Sequence, residues 1–153
     1  MAFDLDEYEK NRIYYVYALQ HNVTKKIYIG STDRLPQRYK NHIYALRKGK
    51  HASKELQKDF EKHGEDFSLY ILEEVTNAKS STEEYGERSI SLIHKREYFW
   101  MERYGTIYNG YNTQDKKAIK YIENGYAFKL PLKEGLPDVL LEMFNENEVE
   151  SQQ

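Results

Sequence analysis

The stretch that decides the fold is IYYVYALQHNVTKKIYIGST, residues 13–32. Two short runs rich in Tyr, Val and Ile flank the polar segment HNVTKK, and a glycine follows the second run. Val, Ile and Tyr favour strands and polar segments favour turns, so the stretch predicts a β-hairpin. A four-residue loop pairs Gln20 with Lys25. The same register sets Tyr17 opposite Tyr28, with both phenols on one face of the hairpin.

The composition is typical of a single soluble domain. Its 153 residues suffice for one hydrophobic core and leave little room for a second. No cysteine is present, which excludes disulfides, thiolate metal sites and thiol nucleophiles. No apolar run reaches the roughly 18 residues of a membrane span, and the start MAFDLDEYEK is acidic, unlike a signal peptide. We therefore expect a soluble cytoplasmic protein that does not bind membranes.

Charge is distributed unevenly along the chain. Residues 12–64 contain 12 Lys and Arg against 4 Asp and Glu, whereas residues 65–153 contain 10 against 17. A basic block of this kind is typical of a phosphate-facing surface or of a solvated helix face, and charge alone leaves both open. The 15 tyrosines favour a binding surface slightly, because a phenol has an apolar body and a polar tip.

Apolar periodicity predicts the elements that follow the hairpin. Helical spacing predicts a helix over residues 35–48, with Arg38 and His42 on a polar stripe beside its apolar face. A second helix is predicted over residues 53–62. The alternating segment FSLYILEEV, residues 67–75, predicts the third strand.

A long helix is predicted in the second half of the chain. The run SSTEE at residues 80–84 resembles a capping box, and the apolar pattern continues to about Tyr104. Glu97 falls on the apolar side of this helix, four residues after Ile93 and three before Trp100. A buried carboxylate costs several kcal/mol unless it is protonated, paired or bound to a cation, so Glu97 is an anomaly.

The remainder of the chain is less regular. YNGYN, residues 108–112, predicts a turn, and a helix is expected from residue 113 onwards. A short strand over residues 126–130 and an amphipathic helix at PDVLLEMF, residues 137–144, are also expected. The last residues, 145–153, are acidic and predict disorder.

Each unusual residue also has a purely structural interpretation. The tyrosine pair can be core packing with satisfied hydroxyls. Arg38 and His42 can belong to a solvated helix face. For Glu97 the structural interpretation is a salt bridge to a neighbouring arginine, namely Arg88, Arg96 or Arg103. Taken singly, none of these residues indicates a function.

Taken in order, the same residues resemble the signature of the GIY-YIG nuclease family. The stretches KGKHASKELQKDFEKHGEDFSLYILEEV and REYFWMERYGTIYNGYN are similar to catalytic domains of phage intron-encoded homing endonucleases of that family. The resemblance implies a small, three-stranded, antiparallel sheet flanked by helices in the α/β (α+β) class. The matching residues are Tyr17, Tyr28, Arg38, His42, Glu97 and Asn112.

One position departs from the family pattern. The Gly-Ile-Tyr of the first motif is Tyr15-Val16-Tyr17 in this chain. Valine for isoleucine is a small change, whereas tyrosine for glycine adds a large side chain that a neighbouring element must accommodate. The functional tyrosine is retained, so we expect an effect on rate rather than on fold.

The resemblance implies a metal-dependent DNA endonuclease. On this resemblance, a single Mg²⁺ or Mn²⁺ is expected on Glu97, since hard cations accept carboxylates and keep several waters. Arg38 is expected to contact the phosphate with its planar fork. The resemblance also implies that Tyr17 deprotonates the attacking water, with Tyr28 and His42 beside it. A phenol with a pKa near 10 needs cationic neighbours for that role.

Three further residues have open roles. His51 stands in GKHAS, where family members often have a histidine important for activity, although a helix cap or a surface role is equally open. Asn112 either orients Glu97 or a water on the metal, or caps a turn. Lys26 either assists the phenols or is solvated. The candidate DNA contacts are Lys26, Arg34, Arg38, Arg47, Lys48 and Lys50.

The expected organisation is a catalytic domain over residues 12–115, a C-terminal extension over residues 116–144 that packs on it, and a disordered acidic tail. Homing enzymes of the family attach a DNA-binding region with zinc or helix-turn-helix modules, but this sequence has no cysteine for a zinc module. A stand-alone phage nuclease acting on double-stranded DNA, a restriction-type homodimer and a subunit recruited by a DNA-binding partner remain open. An inactive module that binds DNA or protein is the alternative.

Overall fold

The computed structural model describes residues 2–82, 90–113 and 115–123 of the protein. The helices in these ranges are α1 (Leu5–Asn11), α2 (Leu35–Arg47), α3 (Lys54–His63), α4 (Leu92–Tyr104), α5 (Thr106–Asn109) and α6 (Lys116–Glu123). The strands are β1 (Tyr14–His21), β2 (Ile27–Thr32), β3 (Phe67–Val75), β4 (Ser81–Thr82) and β5 (Ile90–Ser91). The strand and helix predicted beyond α6, and the acidic tail, lie outside the described residues.

Strands β1, β2 and β3 form an antiparallel sheet in the order β2-β1-β3, with β1 in the centre. The predicted hairpin and the predicted third strand are both confirmed. Side chains of β1 alternate between two cores, because successive strand residues point to opposite faces. Val16 and Ala18 pack with α4 and α6, whereas Tyr17 and Leu19 pack with α2 and α3. The sheet is therefore covered by helices on both faces, as the predicted fold class requires.

The predicted register of the hairpin is wrong by two residues. Gln20 pairs with Ile27, and Tyr17 pairs with Gly30. The loop lies one position later than expected, because the N–H of His21 donates to the carbonyl of Lys26 and closes residues 22–25. Lys25 adopts a left-handed φ of 65° in this loop. A shift of two residues keeps every side chain on its face, so both phenols still share one side of the sheet.

The predicted start of the long helix is also wrong. Ser81–Thr82 pair with Ile90–Ser91 as a two-stranded ribbon, and α4 begins only at Leu92. The first amides of α4 are satisfied by carbonyls from the preceding segment, since Leu92 donates to Ser80 and Ile93 donates to Ala78. These contacts replace the expected capping box. Ile90 consequently lies on a strand, although the helix predicted from SSTEE to Tyr104 would have included it.

The two terminal helices of the described region differ in how they pack. Helix α1 was not predicted; its N-cap Asp4 accepts a hydrogen bond from the N–H of Glu7, and none of its residues is buried. Helix α6 follows residue 113 as expected, and its Ala118 and Tyr121 join the core formed by α4. Among the described residues, no helix is both long enough and apolar enough to cross a membrane.

Candidate active site

The two phenols meet above the glycine of the YIG motif. The rings of Tyr17 and Tyr28 have centroids 6.4 Å apart, and Tyr17 has no exposed surface. A Cβ at Gly30 would lie 2.4 Å from the Tyr17 hydroxyl oxygen, which is far inside van der Waals contact. Only glycine therefore fits opposite Tyr17. The ring of Tyr15, which replaces the family glycine, is half-buried against the core that α2 and α3 form.

Helix α2 delivers two side chains to the Tyr17 hydroxyl. Residues 38 and 42 are one helical turn apart, so they occupy the same face. The Nε of Arg38 donates to the Tyr17 oxygen at 3.2 Å, and the Nε2 of His42 lies 2.6 Å from the same oxygen. His42 is only 3% exposed. The solvated-face interpretation is therefore wrong for His42.

His51 extends this cluster from the loop between α2 and α3. Its Nε2 lies 2.7 Å from the Nδ1 of His42, and the two rings stack with centroids 5.0 Å apart. The backbone N–H of Ser53, the N-cap of α3, donates to the Nδ1 of His51 at 2.9 Å. We call this group the phenol side of the site: Tyr17, Tyr28, Arg38, His42 and His51.

Glu97 approaches the edge strand β2 from the other face of the sheet. It lies on α4, and its carboxylate accepts a hydrogen bond from the hydroxyl of Ser31, the residue after the YIG motif. Arg96, one of the arginines considered as its salt-bridge partner, instead forms a two-pronged ion pair with Glu73 at 2.5 to 3.0 Å. Arg88 lies outside the described residues. We call Glu97 and Ser31 the carboxylate side of the site.

Burial dominates the electrostatics of both sides. It raises the pKa of Glu97 to about 7; the Ser31 hydrogen bond opposes this shift, and the charge of Asp115 adds to it. Burial also raises the pKa of Tyr17, the neighbouring Tyr28 adds to that rise, and the charge of Arg38 opposes it. The Arg38 charge likewise opposes the shift of Glu97, so this guanidinium acts on both sides.

The imidazoles shift in the opposite direction. Burial lowers the pKa of His42 to about 2, and the charge of Arg38 lowers it further. Burial and Arg38 also lower the pKa of His51. Both rings are therefore neutral at physiological pH, and each can offer one N–H donor and one acceptor nitrogen.

Asn112 binds β2, the strand that carries Tyr28. Its side chain accepts from the N–H of Ile29 at 2.9 Å and donates to the carbonyl of Ile29 at 3.0 Å. The backbones also approach closely, since a Cβ at Gly110 would lie 2.7 Å from the carbonyl oxygen of Ile27. The NGYN segment thus holds β2 in place. Its asparagine contacts Ile29 rather than the carboxylate of Glu97.

The predicted DNA contacts fall into two groups. Lys26 lies 3.8 Å from Asp59, and Arg47 forms a two-pronged ion pair with Glu65 at 2.8 and 2.9 Å. The remaining basic residues, Arg38 apart, are exposed and form no ion pair within the described part of the chain: Arg34, Lys48 and Lys50. This second group offers the more available positive charge.

Several residues of the site escaped the sequence analysis. Ser31 could have been found, because it directly follows a motif that was recognised and carries a hydroxyl. The roles of Ser53 and Gly30 had no such signal, because one contributes a backbone N–H and the other an absent side chain. Asp115 gave no signal either, since it acts on Glu97 only through its charge.

The three-stranded sheet, the adjacent tyrosine pair and a carboxylate across the edge strand define a catalytic domain of the nuclease type. The chain belongs to the GIY-YIG catalytic domain family, which it matches over residues 13–112. This match confirms the resemblance and the fold class that were predicted from the sequence.

Named relatives agree with this assignment. Intron-associated endonuclease 1 of Enterobacteria phage T4 is 36% identical over 100 residues, which are 65% of this chain and 36% of that protein. The chain thus spans only about a third of that curated relative.

Two solved structures are also similar. A mutant of the catalytic domain of the intron endonuclease I-TevI has a TM-score of 0.57 at 34% identity and covers 67% of this chain and 95% of that chain. The catalytic domain of homing endonuclease I-TevI has a TM-score of 0.53 at 34% identity and covers 64% of this chain and 95% of that chain.

Proposed function

We propose that this chain is an endonuclease that hydrolyses phosphodiester bonds in double-stranded DNA with the help of one divalent cation, Mg²⁺ or Mn²⁺. The observation that carries the proposal is the meeting of two unlike groups at the edge strand β2. A phenol held by a guanidinium and an imidazole approaches from one face, and the half-buried carboxylate of Glu97 approaches from the other. The endonuclease names of the relatives support the same reaction.

The carboxylate side fits a hard cation. Carboxylate and hydroxyl oxygens are the ligands that Mg²⁺ and Mn²⁺ prefer, and Glu97 and Ser31 supply one of each. The raised pKa of Glu97 shows that its negative charge is poorly compensated within the protein, so a bound cation would relieve the cost of burial. When bound, the cation would stabilise negative charge on a phosphate oxygen and on the leaving oxygen.

The phenol side fits the handling of phosphate and of a proton. Arg38 can bind a phosphate oxygen with the part of its guanidinium that does not contact Tyr17. Tyr17 is protonated in the free protein, because burial raises its pKa, and the positive charge of Arg38 favours its ionised form. Tyr17 would first lose its own proton to solvent, and the ionised phenol would then take one proton from water. The oxygen of that water would bond to phosphorus while the bond from phosphorus to the leaving oxygen breaks, and the leaving oxygen would take a proton from solvent.

The basic first third of the chain is suited to hold DNA. Arg34 directly precedes α2, Lys48 and Lys50 follow it, and all three are exposed. Arg38 lies on α2 itself, at the site. A duplex whose phosphate occupies the site would meet these charges. A homodimer and a separate DNA-binding partner are two further ways in which the chain could be held on DNA. A measurement of its oligomeric state on DNA would distinguish them.

A plasmid assay with Glu97→Gln tests the proposed function. Supercoiled plasmid is incubated with purified protein in Mg²⁺, Mn²⁺ or EDTA. We expect metal-dependent nicking by the parent protein and a loss of roughly 1000-fold or more in the variant, because glutamine keeps the shape of Glu97 but not its charge. Glu74→Gln, at an exposed position of β3, is the matched control and should cleave at the parent rate.

Two outcomes would contradict the proposal. If Glu97→Gln cleaves as fast as the parent protein, the carboxylate of Glu97 is not required for the reaction. Absence of cleavage by the parent protein in both metals would favour the inactive binding module instead. Circular dichroism and thermal melting of each variant show whether a lost activity reflects a lost fold.

A further inference from the structure

A chain of hydrogen bonds connects the Tyr17 hydroxyl to the backbone at the start of α3. The N–H of Ser53 donates to the Nδ1 of His51 at 2.9 Å. The Nε2 of His51 lies 2.7 Å from the Nδ1 of His42, and the Nε2 of His42 lies 2.6 Å from the Tyr17 oxygen. An imidazole has two tautomers, so the direction of these bonds depends on which nitrogen carries the proton.

The Ser53 amide settles that direction. A backbone N–H can only donate, so the Nδ1 of His51 is an acceptor and carries no proton. The proton of neutral His51 is then on its Nε2, which must donate to the Nδ1 of His42. The proton of neutral His42 is in turn on its own Nε2, which donates to Tyr17. A single backbone group therefore determines both tautomers.

We propose that the Ser53 amide makes His42 a hydrogen-bond donor to Tyr17, the base of the proposed hydrolysis, so that Ser53 and His51 act as positioning residues for it. The inference rests on the proposed function for its catalytic meaning. The Tyr17 oxygen then accepts two N–H donors, one from His42 and one from Arg38. Its own proton must point away from both.

This arrangement assigns His42 a specific role. A donor at Nε2 stabilises negative charge on the phenol oxygen, as hydrogen bonds to a charged form do. The same nitrogen cannot accept the phenol proton while it carries its own. His42 therefore supports the ionised form of Tyr17 and does not deprotonate it.

Gln57 holds the loop that carries His51. Its side-chain oxygen accepts from the backbone N–H of His51 at 3.0 Å, and its side-chain nitrogen donates to the carbonyl of Leu46 at 3.0 Å. Gln57 lies on α3 and Leu46 on α2, so this amide fixes the loop to both helices. We include Gln57 among the positioning residues for this reason.

Nitrogen-15 NMR of the histidine rings tests the proposal without any cleavage assay. Long-range proton–nitrogen spectra of the full chain, free of metal and DNA, distinguish protonated from unprotonated ring nitrogens. We expect the Nε2–H tautomer for both His42 and His51 at neutral pH, with signals assigned from variants that lack one histidine each. An Nδ1–H tautomer or an imidazolium at either residue would overturn the proposal.

Two substitutions at residue 53 isolate the amide. Ser53→Pro removes the N–H, and the φ of −82° at this position is close to the value that proline requires. Ser53→Ala keeps the N–H and removes only the hydroxyl, which bonds to the carbonyl of Tyr111. We expect Ser53→Pro to lose the uniform Nε2–H tautomer and to cleave at least about tenfold more slowly than Ser53→Ala.

The NMR spectra and the cleavage rates together distinguish failure of this proposal from failure of the proposed function. If Ser53→Pro keeps both tautomers and cleaves as fast as Ser53→Ala, the amide does not position the imidazoles. If the parent protein does not cleave but shows both Nε2–H tautomers, the hydrogen-bond chain stands and the hydrolytic function is wrong. The spectra of the parent protein decide the direction of the chain even if Ser53→Pro fails to fold.

Discussion

The phenol side and the carboxylate side of the site differ in how completely the protein supplies partners for their polar and charged groups. On the phenol side, the Tyr17 oxygen and all four ring nitrogens of His42 and His51 have partners within the protein. On the carboxylate side, Glu97 has a hydroxyl partner, and burial raises its pKa to about 7. The protein thus satisfies the polar groups of the phenol side internally, whereas the negative charge of the Glu97 carboxylate remains poorly balanced.

The largest expected effect on this comparison comes from Tyr17→Phe. The change removes one oxygen, and we expect turnover to fall by roughly 100-fold or more if the phenol is the base. Stability should fall by about 1 to 3 kcal/mol, because the buried donors of His42 and Arg38 lose their shared acceptor. Plasmid cleavage per folded molecule and urea unfolding measure the two quantities. Tyr8→Phe on α1 is the control for loss of a phenol oxygen.

Normal turnover in Tyr17→Phe would show that the phenol side does not take part in the reaction. The phenol side would then be a packed core with satisfied hydroxyls, and the base would have to be sought elsewhere. A large loss of stability with unchanged turnover per folded molecule would lead to the same conclusion.

The pH dependence of stability should have opposite signs on the two sides. Glu97 has a pKa of about 7 against an ordinary 4.5, so its contribution is full below pH 4.5 and is lost as pH rises to 7. His42 has a pKa of about 2 against an ordinary 6.5, so its contribution is present above pH 6.5 and is lost as pH falls.

Urea unfolding in EDTA across this pH range tests the prediction. Relative to the parent protein, Glu97→Gln should gain on the order of 2 kcal/mol between pH 4.5 and pH 7, after allowance for solvent screening. His42→Asn should lose stability less steeply than the parent protein as pH falls from 6.5. Parallel curves for the parent and either variant would show that the substituted group does not titrate abnormally.

The smallest expected effect concerns DNA binding. The basic face should give a dissociation constant no tighter than micromolar near physiological salt, with little sequence preference. Arg34→Ala should weaken binding and lower the salt slope by about one, whereas Arg47→Ala should change both less, because Arg47 is already paired with Glu65. Fluorescence anisotropy in EDTA measures both. Tight, salt-insensitive binding to one sequence would contradict the prediction.

Much of the fold was predictable because its signals are local. Alternation identified β3 to the residue, and helical spacing identified α2 with Arg38 and His42 on one face. The hairpin register was not predictable, since it depends on which amide closes the loop and on the left-handed backbone of Lys25. The start of α4 was missed because the SSTEE signal competed with strand pairing to Ile90.

The sequence predicted those parts of the site that consist of side chains at a recognisable spacing. Tyr17, Arg38, His42 and Glu97 stand at spacings that a sequence displays. The contacts that orient them were hidden, because they come from a backbone amide at Ser53 and from tertiary neighbours that pattern analysis does not pair. The sequence therefore identifies the candidate site residues but not the atoms to which they are hydrogen-bonded.

The missing side chain of Gly30 has a consequence for recognising active relatives. The space that a Cβ would need is already occupied by the Tyr17 oxygen, so the two positions form one steric unit although they lie on different strands. A relative with any larger residue at position 30 must have moved or lost the phenol. The third letter of the YIG motif therefore reports on the tyrosine of the other strand, and its replacement indicates that this phenol has been displaced or lost.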